Sequence, residues 1–182
     1  MGYHLAFGID ENTAMVYRDG WIEVIGKSGI LIVDISVAEA ERKPLGIGYR
    51  NIILHYLEQS DKFRLNHGNR NPGLNKAYRI DPNRKPVHRG KEYYLESPTY
   101  TDIFGKDMIK DLLTCGLGDN RQSVAEGLSF ILEDKSGGLG VKTVFSKNDE
   151  SICYFGKIDG RESFSVLGVK LDIIPIKVQI RF

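Results

Sequence analysis

The sequence predicts an α+β fold that is mainly β, on three observations. Short apolar runs alternate with tight-turn signals along most of the chain. One stretch alone keeps helical spacing, and the C-terminus closes on a long period-two alternation.

The first element is the apolar run Leu5 to Ile9. Thr13 to Tyr17 and Trp21 to Ile25 then flank Asp19-Gly20, a pair that tolerates the positive φ of a two-residue hairpin turn. A second turn signal, Gly26-Lys27-Ser28-Gly29, leads into Ile30 to Ile35, an apolar run short enough for a buried strand. Residues 37–45 are polar and end near Pro44. Ile52 to Leu57 gives the next strand, so residues 3–57 read as a meander. The helix is expected over 105–115, with Met108, Ile109, Leu112 and Leu113 on one face and Gly116 and Gly118 stopping it. Strands are expected at about 128–133, 140–146, 151–157 and 162–168, then over 169–180. Pro175 lacks a ladder donor and implies an edge or a bulge in that last strand.

Residues 64–91 differ in kind. They hold eight Lys or Arg residues against one acid, Asp81, interrupted by Asn, Pro and Gly. With little apolar content to offset ordering entropy, the segment reads as a surface loop, open to trypsin at Arg70, Arg79, Arg84 or Arg89. The expected organisation is therefore residues 1–63, a basic linker or long loop over 64–101, and a β-rich unit over 102–182 with one clear helix.

Composition excludes several classes. The 182 residues carry a formal charge of +1, with 41% hydrophobic and 27% charged residues. That charge argues for neither nucleic acid nor an acidic membrane as partner. No apolar run reaches membrane-spanning length, and Met1-Gly2-Tyr3-His4 does not open a secretory signal, so a cytoplasmic location is expected. Cys115 and Cys153 read as two free thiols, and the four histidines show no ligand spacing, so neither a metal nor a cofactor is expected.

Few residues announce chemistry. Ser28-Gly29 and Ser136-Gly137 lack the flanking glycines of a serine nucleophile turn and read as hairpin turns. His55 reads as a satisfied strand histidine. Asp10-Glu11 is more informative: two adjacent acids closing an apolar strand are costly unless solvated or paired. Neighbouring strand side chains point to opposite faces, so one acid can face a site and the other a structural partner.

The stretch Leu5-Ala6-Phe7-Gly8-Ile9-Asp10-Glu11-Asn12-Thr13-Ala14-Met15-Val16 resembles the Gly-Ile-Asp-Glu-x-Thr-Ala segment of the cyanophycinase family of serine peptidases. The Asp19-Gly20 hairpin, Val24 to Gly29, Val33-Asp34, Pro44-Leu45 and the strand at 51–57 continue the resemblance to about residue 63. Residues 64–182 are similar, more loosely, to a C-terminal extension of longer family members. The resemblance implies that residues 5–57 correspond to the last strands of a glutamine-amidotransferase-like α/β domain with a Ser–His–Glu triad. By position Glu11 would be the triad acid, Asp10 its structural neighbour, and Thr13 the start of the supporting strand. The family's Gly-Thr-Ser-Ala-Gly elbow and Asp-Gln-His segment do not occur in these residues.

The implied function is that of the C-terminal part of a cyanophycinase-like serine exopeptidase acting on cyanophycin or other β-aspartyl peptides, inactive by itself. The implied partners are an upstream half bearing the Ser and His and the peptide substrate. Without that half, Phe7, Ile9, Met15, Val24, Ile30, Ile32 and Val33 should lose part of their cover, so the chain should dimerise, as a homodimer, aggregate, or hold a partially disordered N-terminal third. The competing readings are a non-catalytic β-rich interaction module and a binder of anionic polymers through residues 64–91.

Overall fold

The computed structural model describes residues 4–65, 74–96, 99–134 and 137–179. Most of these residues lie in strands, as the mainly-β expectation requires. Two antiparallel sheets result, one of nine strands and one of four.

The N-terminal strands divide between the sheets. β1 (Leu5–Ile9) does not pair with its neighbour β2 (Thr13–Arg18). It lies along β4 (Gly29–Asp34), whereas β2 forms the Asp19-Gly20 hairpin with β3 (Trp21–Gly26) in the smaller sheet. The polar segment 37–45 is also a strand in part: β5 (Glu39–Lys43) turns at Pro44-Leu45 into β6 (Gly46–Glu58), longer than the expected 52–57. β5 pairs with β6 alone, so it is a sheet edge where its charged residues stay exposed or half-buried and polar content is tolerated.

The basic segment does not remain a bare loop. β7 (Lys62–Leu65) and β8 (Leu74–Arg79) complete the four-stranded sheet, and β9 (Arg84–Pro86) pairs with β12 (Ile152–Ile158). Arg84, expected as an exposed trypsin site, is buried. Arg79 and Arg89 are exposed, and Arg70 lies outside the described residues.

The helix is shifted towards the C-terminus, to Met108–Gly118. One α-helical turn, α1 (Met108–Asp111), runs directly into a π-helical stretch, Leu112–Gly118, where the Asp119 N–H donates to the Thr114 carbonyl at 2.9 Å. Thr114 Oγ1 donates to the Lys110 carbonyl at 2.9 Å, competing for the oxygen that an α-helix would use. Gly116 lies inside this helix, and Gly118 is its last residue. A Cβ on Gly118 would stand 2.7 Å from the Leu113 oxygen and 2.8 Å from Cys153 Sγ, so these glycines let the helix approach the sheet.

β10 (Val124–Asp134), β11 (Gly137–Ser146), β12 and β13 (Arg161–Gln179) form the rest of the large sheet. The two strands expected at 162–168 and 169–180 are one. β13 pairs with β12 along its first half and β11 along its second, and its other edge takes β6. Between Val166 and Val169 the β6–β13 register shifts at Gly168, whose φ of 72° marks a bulge. Pairing with β6 ends at Ile173, so Pro175 sits where that ladder has stopped.

The β6–β13 seam therefore joins the N-terminal strands to those after residue 102. One core lies over it: Ile52, Leu54, Tyr56, Phe145, Val166 and Val169, capped by Leu112, Leu113 and Leu117 from the helix. A second core fills the space between the sheets, from Val24, Ile30, Ile32, Leu57, Phe63 and Leu167. Expected exposure at Val24, Ile30 and Ile32 is thus overturned: all three are fully buried, because β7 and β13 supply the cover. Ile9, on the outermost strand, does stay 49% exposed.

Candidate functional site

Asp10 ends β1, and the backbone then turns through Asn12, which holds a φ of 58° that Asn tolerates better than most residues. Two main-chain bonds clamp this turn to the one between β3 and β4: Asp10 N–H to the Gly29 carbonyl at 3.2 Å, and Lys27 N–H to the Asn12 carbonyl at 3.1 Å. Thr13 Oγ1 adds to the clamp by accepting from the Ser28 N–H at 3.2 Å.

The two acids then part. Asp10 Oδ2 accepts a 2.5 Å bond from Ser28 Oγ and lies 3.4 Å from the Tyr56 hydroxyl. Glu11 is exposed, and its carboxylate has no hydrogen bond or ion pair with the described residues. The structure thus gives Asp10 an anchoring role and leaves Glu11 directed to solvent.

From Asp10 a polar network runs inward. Tyr56 Oη is also 3.3 Å from Glu58 Oε1, so its single proton serves either carboxylate. Burial first, then the Glu58 charge, pushes the Tyr56 hydroxyl well above its usual range and keeps it a neutral donor. Lys110 on α1 reaches Glu58 Oε1 at 3.3 Å and Ser28 Oγ at 3.4 Å. Glu58 Oε2 accepts from Ser163 Oγ at 2.6 Å and the Phe164 N–H at 3.2 Å. Ser163 accepts in turn from Arg84 Nη1 at 2.6 Å, and Arg84 pairs with Asp61, both side chains fully buried. Burial raises the Asp61 carboxyl, opposed by the Arg84 charge and the Ser165 hydroxyl.

Ser28, Glu58, Lys110 and Ser163 of this network line a cavity of about 370 Å³ together with Lys27 and the β12–β13 hairpin residues Asp159, Arg161 and Glu162. None of Glu58, Asp61, Arg84 or Lys110 was legible as a site residue. Their partners lie far away in sequence, 105 residues in the case of Ser163 and Glu58, and no spacing rule spans such a distance.

His55 is buried, and its Nδ1 accepts from the Gly168 N–H at 3.1 Å. Burial lowers its pKa to about 4, slightly offset by the Asp34 charge. His88 is exposed, and His67 and Ser136 lie outside the described residues. Cys115 and Cys153 are free thiols, and burial pushes that of Cys153 far up. Among the described residues no group of three or more His, Cys, Asp or Glu side chains could hold a metal, no serine hydroxyl is bonded to a histidine, and no helix is long and apolar enough to cross a membrane.

The geometry thus defines a two-sheet β protein with an acid pair set at the end of an edge strand. Among proteins of known function, the chain is similar to the cyanophycinases of Trichormus variabilis and Nostoc sp., at 39% identity over 67 residues in each case. That stretch is 34% of this chain and 22% of either relative, so the chain matches about a fifth of their length. The relationship is a distant one, of cyanophycinase-like character. No family model matches the chain, and no solved structure matches it.

Proposed function

We propose that this chain contributes the acid of the catalytic triad, Glu11, to a cyanophycinase-like serine exopeptidase that releases β-aspartyl dipeptides from cyanophycin or related β-aspartyl peptides. The Ser and His belong to another polypeptide segment. The observation that carries this reading is the 39% identity to two cyanophycinases over 67 residues. The surroundings of Glu11 support it. A triad acid must orient an imidazole and stabilise the imidazolium that forms when the serine loses its proton. Such an acid needs a free carboxylate on a fixed backbone. Glu11 has the first, and the Asp10–Ser28–Tyr56 bonds supply the second.

The test combines this chain with the polypeptide encoded immediately upstream of it and assays β-aspartyl-arginine release from cyanophycin. The chain alone should release none above buffer. The combined preparation should be active, and Glu11→Gln should lower its kcat by roughly 10³–10⁴-fold, the scale seen when a triad acid is neutralised. Release by the isolated chain, or a combined rate untouched by Glu11→Gln, would overturn the assignment.

One observation favours a second reading, a non-catalytic β-rich interaction module. Val24, Ile30, Ile32 and Leu57 are covered by this chain's own Phe63 and Leu167, so the N-terminal strands do not need an upstream half to close their core. The same assay separates the two, since a module gives no active combination.

A further inference from the structure

The four-stranded sheet has one face on the core, through Ile22, Val24, Phe63 and Tyr78. Its strand register decides what lies on the other. Arg18 is opposite Trp21, and Glu23 is opposite Lys62. Lys62 is in turn opposite Arg79. Side chains two apart share a face, so Trp21 shares one with Glu23, and Lys62 with Arg64. The pairing thus places Arg18, Trp21, Glu23, Lys62, Arg64 and Arg79 together on the outer face, where they line a cavity of about 360 Å³ with Asp19. That volume lies in the range of small-molecule sites, about 300–1,000 Å³.

The charge there is unbalanced. Four cationic side chains meet two acids, and one of these, Glu23, already pairs with Lys62 at 2.8 Å. Arg64 and Arg79 each hold their guanidinium carbon 4.2 Å from the centre of the Trp21 ring. The indole thus fixes two like charges against one another, with no carboxylate of the described residues within ion-pair distance of either. Arg64 Nε is buried and has no hydrogen-bond partner among the described residues. A buried donor without an acceptor is costly, and held guanidiniums match oxyanions bidentately.

We propose that this outer face is an oxyanion-binding site, in which Arg18, Arg64 and Arg79 receive the phosphate or carboxylate groups of a small ligand and Trp21 holds the latter two in place. The site is independent of Glu11, so its failure leaves the peptidase reading untouched.

Trp21 is the single tryptophan of the chain, and its emission reports the site directly. Titration with pyrophosphate and, in a separate arm, with citrate should give a saturable change in that emission for at least one of them. Response to pyrophosphate alone assigns phosphate groups, and response to citrate alone assigns carboxylates. The midpoint should rise with sodium chloride, since the attraction is between charges. Arg64→Gln and Arg79→Gln should each weaken binding at least tenfold. Both also remove a neighbour of the fluorophore, so calorimetric titration repeats the measurement without it. Arg18→Gln, at an exposed hairpin position, provides a variant that leaves the Trp21 stack intact and should also bind more weakly. Arg89→Gln, which removes a charge paired with Asp149 elsewhere, should bind as the unaltered protein does. Absence of any saturable signal or heat with both anions would overturn the site, as would equal weakening by Arg89→Gln and Arg18→Gln.

Discussion

Asp10 and Glu11 are chemically alike and adjacent, yet their surroundings divide the work between them. The division was legible in part, because two acids closing an apolar strand imply one partnered and one free. Which acid finds the partner depends on Ser28 and Tyr56, and both arrive through the tertiary fold. His55 shows the opposite limit. Its position in an apolar strand marks it as buried, but its task is set by the bulge at Gly168, whose N–H its Nδ1 accepts. An accepting Nδ1 means a neutral ring, and burial lowers the pKa to about 4 against about 6.5 in an unfolded chain. Over that interval the unfolded state binds the extra proton, so stability is complete above pH 6.5 and declines as pH falls towards 4. The urea midpoint should fall across this window, and the imidazole resonances of His55 should show a neutral ring at pH 5.5. A ring already protonated at that pH in the folded protein would contradict the account.

At the scale of elements, hairpins with a Gly-containing turn and long alternations were readable, and elements shaped by their neighbours were not. β5 is polar and belongs to an edge, so its composition imitates a loop. The basic stretch after residue 64 imitates a linker because the cover for Arg84 comes from Asp61, in the β6–β7 turn, and from Ser163, in β13. The helix is the clearest case. Gly116 and Gly118 carry the sequence signature of a helix stop, but they serve close packing, since the space beyond each α-hydrogen is occupied by Tyr100 or by Cys153. Gly118→Ala should therefore destabilise the protein by about 1–3 kcal/mol, the usual cost of forcing a methyl into a packed site. Alanine is the better helix former, so propensity alone predicts the reverse sign. Thermal unfolding decides between them: a raised Tm in Gly118→Ala would show that the helix can move off the sheet at little cost.

For the whole molecule the governing feature is the β6–β13 seam, which pairs residues more than a hundred positions apart. Tyr56 lies opposite Val166, Leu54 opposite Val169 and Ile52 opposite Leu171. Four of these side chains, Ile52, Leu54, Val166 and Val169, are at most 6% exposed. Fully burying an aliphatic side chain is worth about 1.5–3 kcal/mol, so the seam alone carries several kcal/mol, comparable with the net stability of a domain. Neither the strands before residue 59 nor those after residue 123 can leave it without exposing the other. A boundary in the basic segment would predict two separate unfolding events, and the seam predicts one. Calorimetry should give a single transition with equal calorimetric and van't Hoff enthalpies. For 182 residues the enthalpy should be roughly 120–130 kcal/mol near 60 °C. β1 is the exception within this cooperative unit, because it pairs on one side only, with β4, and leaves Ile9 exposed. Its amides should exchange well before those of β4, β6 and β13, which lie inside the sheet. Two calorimetric peaks of comparable size, with protection lost in residues 5–57 while residues 124–179 keep theirs, would show that the seam yields before the sheets do.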